Sequence, residues 1–196
     1  MKGKHRWEDH YSRKARKERY PARSVYKLKE IQEKHHLIQQ GDRVLDLGCS
    51  PGSWLLYAAT LTGSFGQVVG IDPKPVSVAL PPHVTVHSGD VFSLDATLRR
   101  ILGDDFNAVI SDMAPATTGV KSVDAAKSLD LCQAALSIAT ECLLPGGTFL
   151  CKLFQGEDFK RFTDRVKEVF HKQKVFKPKS SRKASKELYI IGMGRR

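Results

Sequence analysis

Apolar residues in this chain fall into short runs separated by longer amphipathic stretches, and the alternation begins near Gly41. Arg43–Leu47, Gln67–Ile71, Val84–His87 and Phe106–Ser111 are compact runs dominated by Val, Ile, Leu and Phe, bounded by Gly, Asp or Pro. Runs of that length and make-up predict buried strands. Helical spacing is expected over residues 53–61, 95–102, 123–143 and 158–170. Gly146-Gly147 opens a fifth strand that continues to residue 153, and residues 174–176 and 188–193 complete a set of seven. Ahead of the alternation, residues 23–36 read as a helix with Val25, Leu28 and Ile31 on one face. Strands alternating with helices predict an α/β fold: a mostly parallel seven-stranded sheet with helices on both faces. No internal repeat interrupts the pattern.

The strand ends carry the polar residues. Arg43–Leu47 runs into a turn containing Gly48, Pro51 and Gly52, and a helix follows. A strand, a glycine turn and a helix in that order form the nucleotide pocket of α/β proteins, because bare backbone lets a ligand approach. Asp46, inside that apolar run, is costly to bury without a partner. Asp72, Asp90, Asp112 and Lys152 also stand at or near strand ends, where ligands bind in open α/β sheets, so the five should share one rim. Any one aspartate there reads equally well as a helix cap or turn residue. Asp72, after the second strand, is placed to accept from ribose hydroxyls, and Asp90 from an adenine amino group. A dinucleotide fingerprint is not met, because Ser50 and Ser53 stand where its further glycines belong. A pyrophosphate wants helix-end positive charge, whereas an acidic rim suits a cationic ligand such as S-adenosylmethionine.

Charge divides the chain into three. Residues 1–29 hold 11 Lys and Arg against 3 Asp and Glu, and residues 159–186 hold 11 against 2. The middle, residues 30–158, is acidic, with 8 against 15. Two basic flanks around an acidic pocket region predict a polyanion footprint separate from the pocket, with nucleic acid favoured over a solvated helix face. Residues 1–22, closed off by Pro21, read as a basic, poorly ordered arm, and residues 23–196 as one domain. Cys49, Cys132, Cys142 and Cys151 lack metal-ligand spacing and the histidines form no ligand pattern, so no metal is expected. No apolar run reaches membrane-spanning length, and the first residues lack a signal-peptide core; the expectation is a cytoplasmic monomer with no membrane association.

Five segments then narrow the reading: R-S-V-Y-K-L from Arg23, D-L-G-C-S-P-G-S-W from Asp46, S-D-M-A-P from Ser111, K-L-F-Q-G from Lys152 and S-K-E-L-Y-I from Ser185. In this order they resemble the FtsJ/RrmJ family of S-adenosylmethionine-dependent RNA 2′-O-ribose methyltransferases, and length and basic arm resemble its bacterial member acting on a uridine of 23S ribosomal RNA. The resemblance implies a Rossmann-like class I methyltransferase, a Lys-Asp-Lys-Glu catalytic set at Lys27, Asp112, Lys152 and Glu187, and cofactor contacts at Gly52, Trp54, Asp72, Asp90 and Asp112. Ser53 replaces the second glycine usual before the tryptophan, Ala116 stands where asparagine commonly follows S-D-M-A-P, and Pro73-Lys74-Pro75 departs from the usual form.

Methyl transfer from a sulfonium to a hydroxyl needs positioning and a base, and no metal. Lys152 is that base only when neutral; burial and a neighbouring cation favour the neutral amine, and carboxylates favour the ammonium. The carboxylates are assigned to orienting Lys152, and Lys27 to the ribose or its phosphate. Arg13, Lys14, Arg16, Lys17, Arg19 and Arg23, with Lys179, Arg182 and Lys183, are the expected RNA contacts, and large-subunit ribosomal RNA the expected partner. The alternatives are a tRNA 2′-O-methyltransferase and a non-catalytic RNA-binding assembly factor on the same scaffold.

Overall fold

The computed structural model describes residues 9–182 and 184–196. Its elements run α1 (His10–Lys17), α2 (Val25–His35), β1 (Arg43–Leu47), α3 (Ser53–Thr62), β2 (Gln67–Ile71), β3 (Val84–His87), α4 (Ala96–Leu102), β4 (Phe106–Ser111), α5 (Lys121–Cys142), β5 (Leu143–Phe154), α6 (Phe159–Val169), β6 (Phe170–Phe176) and β7 (Glu187–Arg195). The seven strands form one sheet in the order β3-β2-β1-β4-β5-β7-β6. β1 through β5 pair in parallel. β7 runs antiparallel to both its neighbours, β5 and β6.

Period-two alternation sends successive side chains to opposite faces of this sheet. Leu45, Leu47, Val109, Phe149, Cys151 and Ile190 point to the face covered by α5 and α6, packing on Leu136, Phe162 and Val166. Val44, Ala108, Ile110, Leu150, Tyr189 and Ile191 point to the other face, under Leu28 and Ile31 of α2 and Trp54 and Leu55 of α3. The same alternation puts Asp46, Lys152 and Glu187 on the α2–α3 side. Because β7 is antiparallel, its first residues arrive at the rim where β1, β2 and β4 end.

The first four strands lie where their apolar runs place them; the larger differences are near the ends. The helix expected to reach residue 143 stops at Cys142, and β5 begins at Leu143 rather than Gly146. β6 begins at Phe170 rather than residue 174, taking the last residue of the helix expected there. In the segment read as an arm, residues 10–17 form a helix. Asp9 caps it, its side chain accepting from the Ser12 N–H at 2.9 Å. Tyr11 and Ala15, one turn apart, pack with Tyr20 against Tyr26 of α2. Arg23 ties this helix to the body, donating to the Asp9 carboxylate and the Ser180 carbonyl, with its guanidinium 5.4 Å from the Tyr11 ring centroid.

Candidate active site

Two ion pairs stand at the rim on the α2–α3 side. Lys152, near the end of β5, places its Nζ 3.0 Å from Asp112 Oδ1 and donates to the Asp112 carbonyl at 2.5 Å. Lys27, one turn into α2, places its Nζ 2.9 Å from Glu187. Both pairs are largely shielded: Lys152 is 7% exposed and Glu187 8%. Between them lies Tyr189, a residue the sequence reading passed over. Its hydroxyl donates to Asp112 Oδ1 at 2.5 Å, its ring stacks on Trp54 at 6.0 Å between centroids, and Lys27 Nζ lies 5.9 Å above it. Tyr189 is opposite Lys152 in the β5–β7 register. Burial, then the Asp112 and Glu187 carboxylates, hold its phenol well above the ordinary value, so it stays a hydrogen-bond donor.

A cavity of about 370 Å³ opens beside the first pair, lined by Gly48, Asp72, Asp90, Asp112 and Met113 among others. Gly48 has a φ of +76°, and a Cβ there would collide with Met113 Cγ, so the turn accepts no side chain. The Asp72 carboxylate accepts from the Ser50 N–H at 3.0 Å and the Lys74 N–H at 2.7 Å, which fixes its orientation and leaves each oxygen a further lone pair. Asp90 accepts from the Phe92 N–H at 3.0 Å and is otherwise exposed. Asp72, Asp90 and Asp112 are thus brought to one cavity. Gly52 and Trp54 lie outside its lining: Gly52 is the N-cap of α3 with its Cα against Val76 and Val78, and Trp54 is buried, donating to the Ser24 carbonyl at 3.0 Å.

Asp46 is 1% exposed, and among the described residues neither carboxylate oxygen has a hydrogen-bond partner. Burial first, then repulsion from Asp112 and Asp72, pushes its pKa well above the ordinary carboxylate value. Between the unfolded and folded pKa values the folded chain holds a proton the unfolded chain has released, so stability falls as the pH rises through that window; below the unfolded value the group is neutral in both states. Asp46→Asn, neutral at every pH, should remove a slope of about 1.4 kcal/mol per pH unit from unfolding free energy measured above about pH 4. Parallel curves for the two proteins would contradict this.

A second cavity, of about 280 Å³, is lined by Arg23, Ser24, Lys27, Arg182, Ser185 and Glu187. Of the expected RNA contacts, Arg23 and Arg182 thus border the Lys27–Glu187 pair. Lys179 is exposed nearby, and its N–H donates to Glu30 at 2.6 Å. Arg13, Lys14, Arg16, Lys17 and Arg19 are exposed on or just after α1. Lys14 turns toward Tyr26, 4.8 Å from its ring centroid. Lys183 lies outside the described residues. All four cysteines are free and buried, and burial pushes the Cys49 thiol far above its usual value. Among the described residues, no helix is long and apolar enough to cross a membrane.

The fold is that of a methyltransferase. The chain belongs to the FtsJ-like methyltransferase family, which it matches over residues 20–195. It is 58% identical, over 98% of its length and 95% of the relative's, to ribosomal RNA large subunit methyltransferase E of Desulforapulum autotrophicum. The protein of that name from Desulfatibacillum aliphaticivorans is 49% identical over 100% of this chain and 94% of the other. Among solved structures, a crystal structure described as a ribosomal RNA methyltransferase from Plasmodium falciparum superposes with a TM-score of 0.78 at 26% identity, covering 90% of this chain and 98% of that one.

Proposed function

We propose that the protein transfers a methyl group from S-adenosylmethionine to the 2′-hydroxyl of a uridine in large-subunit ribosomal RNA, with Lys152 as the general base. The cavity at Gly48 fits the cofactor by its donor chemistry: Asp72 is oriented to accept from hydroxyls, Asp90 from an amino group, and the surrounding negative charge favours a cation. When bound, S-adenosylmethionine supplies an electrophilic methyl group on a sulfonium.

The observation that carries the reading is how Lys152 is held. In the neutral form in which it acts, the Lys152 amine has two N–H groups and one lone pair, and Asp112 offers two acceptors to Nζ, its Oδ1 and its carbonyl. With both N–H groups engaged, the lone pair points in the remaining tetrahedral direction, free to take the hydroxyl proton. The Tyr189 hydroxyl holds the same Asp112 oxygen, so the carboxylate cannot swing away from the base. Lys27, oriented by Glu187, faces the cavity bordered by Arg23 and Arg182, a setting that suits a ribose flanked by phosphates. The names of the 58% and 49% identical relatives support ribosomal RNA of the large subunit as the substrate.

Helix α1 supports the RNA assignment by its geometry. Tyr11 and Ala15 pack toward α2, where Glu18, just after α1, pairs with Lys29, and Arg13, Arg16 and Lys17 fall on the opposite, exposed side. Replacing these three by glutamine should weaken RNA binding and lower the slope of log K against log salt by about two, at ~0.7–0.9 for each phosphate no longer neutralised. An unchanged slope would remove α1 from the interface. The substrate itself is tested by offering unmethylated large ribosomal subunits and tRNA side by side with labelled cofactor. Label is expected in the ribosomal RNA; label in tRNA alone would favour the tRNA enzyme, and no transfer with no cofactor binding the non-catalytic factor.

A further inference from the structure

Beyond the Lys27–Glu187 pair, the rim continues into space that the reaction does not use. A cavity of about 260 Å³ shares Ser185 with the cavity at Lys27 and adds Lys121, Phe154, Gln155 and Lys186. Those last four also wall a further cavity of about 300 Å³ between the start of α5 and the β5–α6 turn. The three form one trough that starts at Arg23 and Arg182, crosses the catalytic pair and ends at Glu157, Asp158 and Phe159.

The two lysines differ from the others at the site. Lys27 and Lys152 are consumed by carboxylates, whereas the exposed Lys121 and Lys186 amines have no hydrogen bond or ion pair among the described residues. Asp124, the nearest acid at the start of α5, is committed to the Thr118 N–H and hydroxyl and the Gly119 N–H. The far cavity has another character. Leu129, Phe154 and Phe159 give it apolar walls, and Glu157 and Asp158 line it without side-chain hydrogen bonds among the described residues. Gly156 keeps it open toward α5, since a Cβ there would meet the Ala125 Cβ at 2.8 Å.

We infer that this trough is a subsite for the nucleotide adjoining the methylated one: Lys121 and Lys186 bind its phosphate, and the cavity takes a base that carries an exocyclic amino group. The inference rests on the reading that the protein acts on RNA. A phosphate needs cations without prior partners, and a strand leaving the tetrad cavity meets Lys121 and Lys186 next. Apolar walls receive the faces of a base. Free carboxylates accept from an amino group, as cytosine N4 offers, and are repelled by the carbonyl that uracil presents in its place.

The test is fluorescence anisotropy of the full chain with labelled eight-nucleotide oligo(C) and oligo(U), two weakly stacking pyrimidine strands that differ at that group. The wild type should bind oligo(C) several-fold more tightly than oligo(U). Lys121→Glu with Lys186→Glu should weaken both about tenfold. Glu157→Ala with Asp158→Ala should erase the preference without loss of oligo(U) affinity. All four substituted positions are exposed charges, and unchanged cofactor affinity confirms that each variant is folded. Equal binding of the two strands by the wild type, or lysine variants that bind as the wild type does, would overturn the subsite. Methyl transfer to large subunits is scored separately: transfer with an unchanged oligonucleotide profile in the variants refutes the subsite alone, whereas a wild type that neither binds RNA nor methylates it refutes both readings.

Discussion

Lys152→Ala is expected to lower methyl transfer by about 10²–10⁴-fold, the usual cost of removing a placed general base, with cofactor affinity close to wild type. The separation of the two effects follows from geometry. Lys152 pairs with Asp112 and is not part of the lining of the cavity at Gly48, Asp72 and Asp90. Alanine removes the amine that Asp112 orients and leaves the Ser50 and Lys74 bonds to Asp72 in place. Single-turnover transfer with labelled cofactor, paired with calorimetric titration of the cofactor, measures both quantities. A variant retaining full transfer would end the assignment of Lys152 as base; one that lost cofactor binding in proportion would make it a binding residue.

The second large effect concerns stability. Asp112→Ala leaves the Lys152 ammonium, 7% exposed, with no carboxylate and the Tyr189 hydroxyl with no acceptor. Breaking a buried pair from one side costs about 3–5 kcal/mol. For a chain of this length that lowers the melting temperature by roughly 10 °C. Lys152→Ala should cost less, because Asp112 keeps the Tyr189 hydrogen bond and more access to water. The double variant removes both charges, so it should be more stable than the sum of the single losses predicts, by about 1 kcal/mol or more. Thermal or urea unfolding of the four proteins checks this. Additive losses would mean that the pair contributes no coupling, and that Asp112 orients Lys152 through its carbonyl alone.

The sheet was legible because buried parallel strands are written as apolar runs, and three of these runs are followed at once by a Gly or Asp, which strands disfavour. β1 stops at Gly48, β2 at Asp72 and β4 at Asp112, so strand ends and polar rim are the same positions. Helix α1 was not legible. Its buried side consists of Tyr11 and Ala15 in a segment otherwise polar and basic, and the partner that stabilises it, Tyr26, belongs to another helix. Tyr189 was passed over for a related reason. In sequence it is one aromatic in a strand, and only the antiparallel register of β7 sets it opposite Lys152 with its hydroxyl on Asp112. A tyrosine two residues beyond a carboxylate on the same strand face was the available signal. Arg23 shows the reverse: a basic residue next to a basic segment reads as a phosphate contact, whereas its guanidinium holds Asp9 and the Ser180 carbonyl while bordering the cavity at Lys27. Asp46 stood out in sequence as a carboxylate inside an apolar run, and the structure buries it with no hydrogen-bond partner among the described residues.

The cavity at Gly48 and the two lysine–carboxylate pairs form one site because β7 reverses direction and delivers Glu187 and Tyr189 to the edge where the parallel strands end. The central claim is that this site methylates a ribose hydroxyl of large-subunit ribosomal RNA. Its most direct test is to incubate the protein and labelled S-adenosylmethionine with unmethylated large subunits, digest the RNA to nucleosides and identify the labelled one. The account predicts label in 2′-O-methyluridine, absent when Lys152→Ala replaces the wild type. Label on a base, or 2′-O-methylation undiminished in that variant, would contradict it.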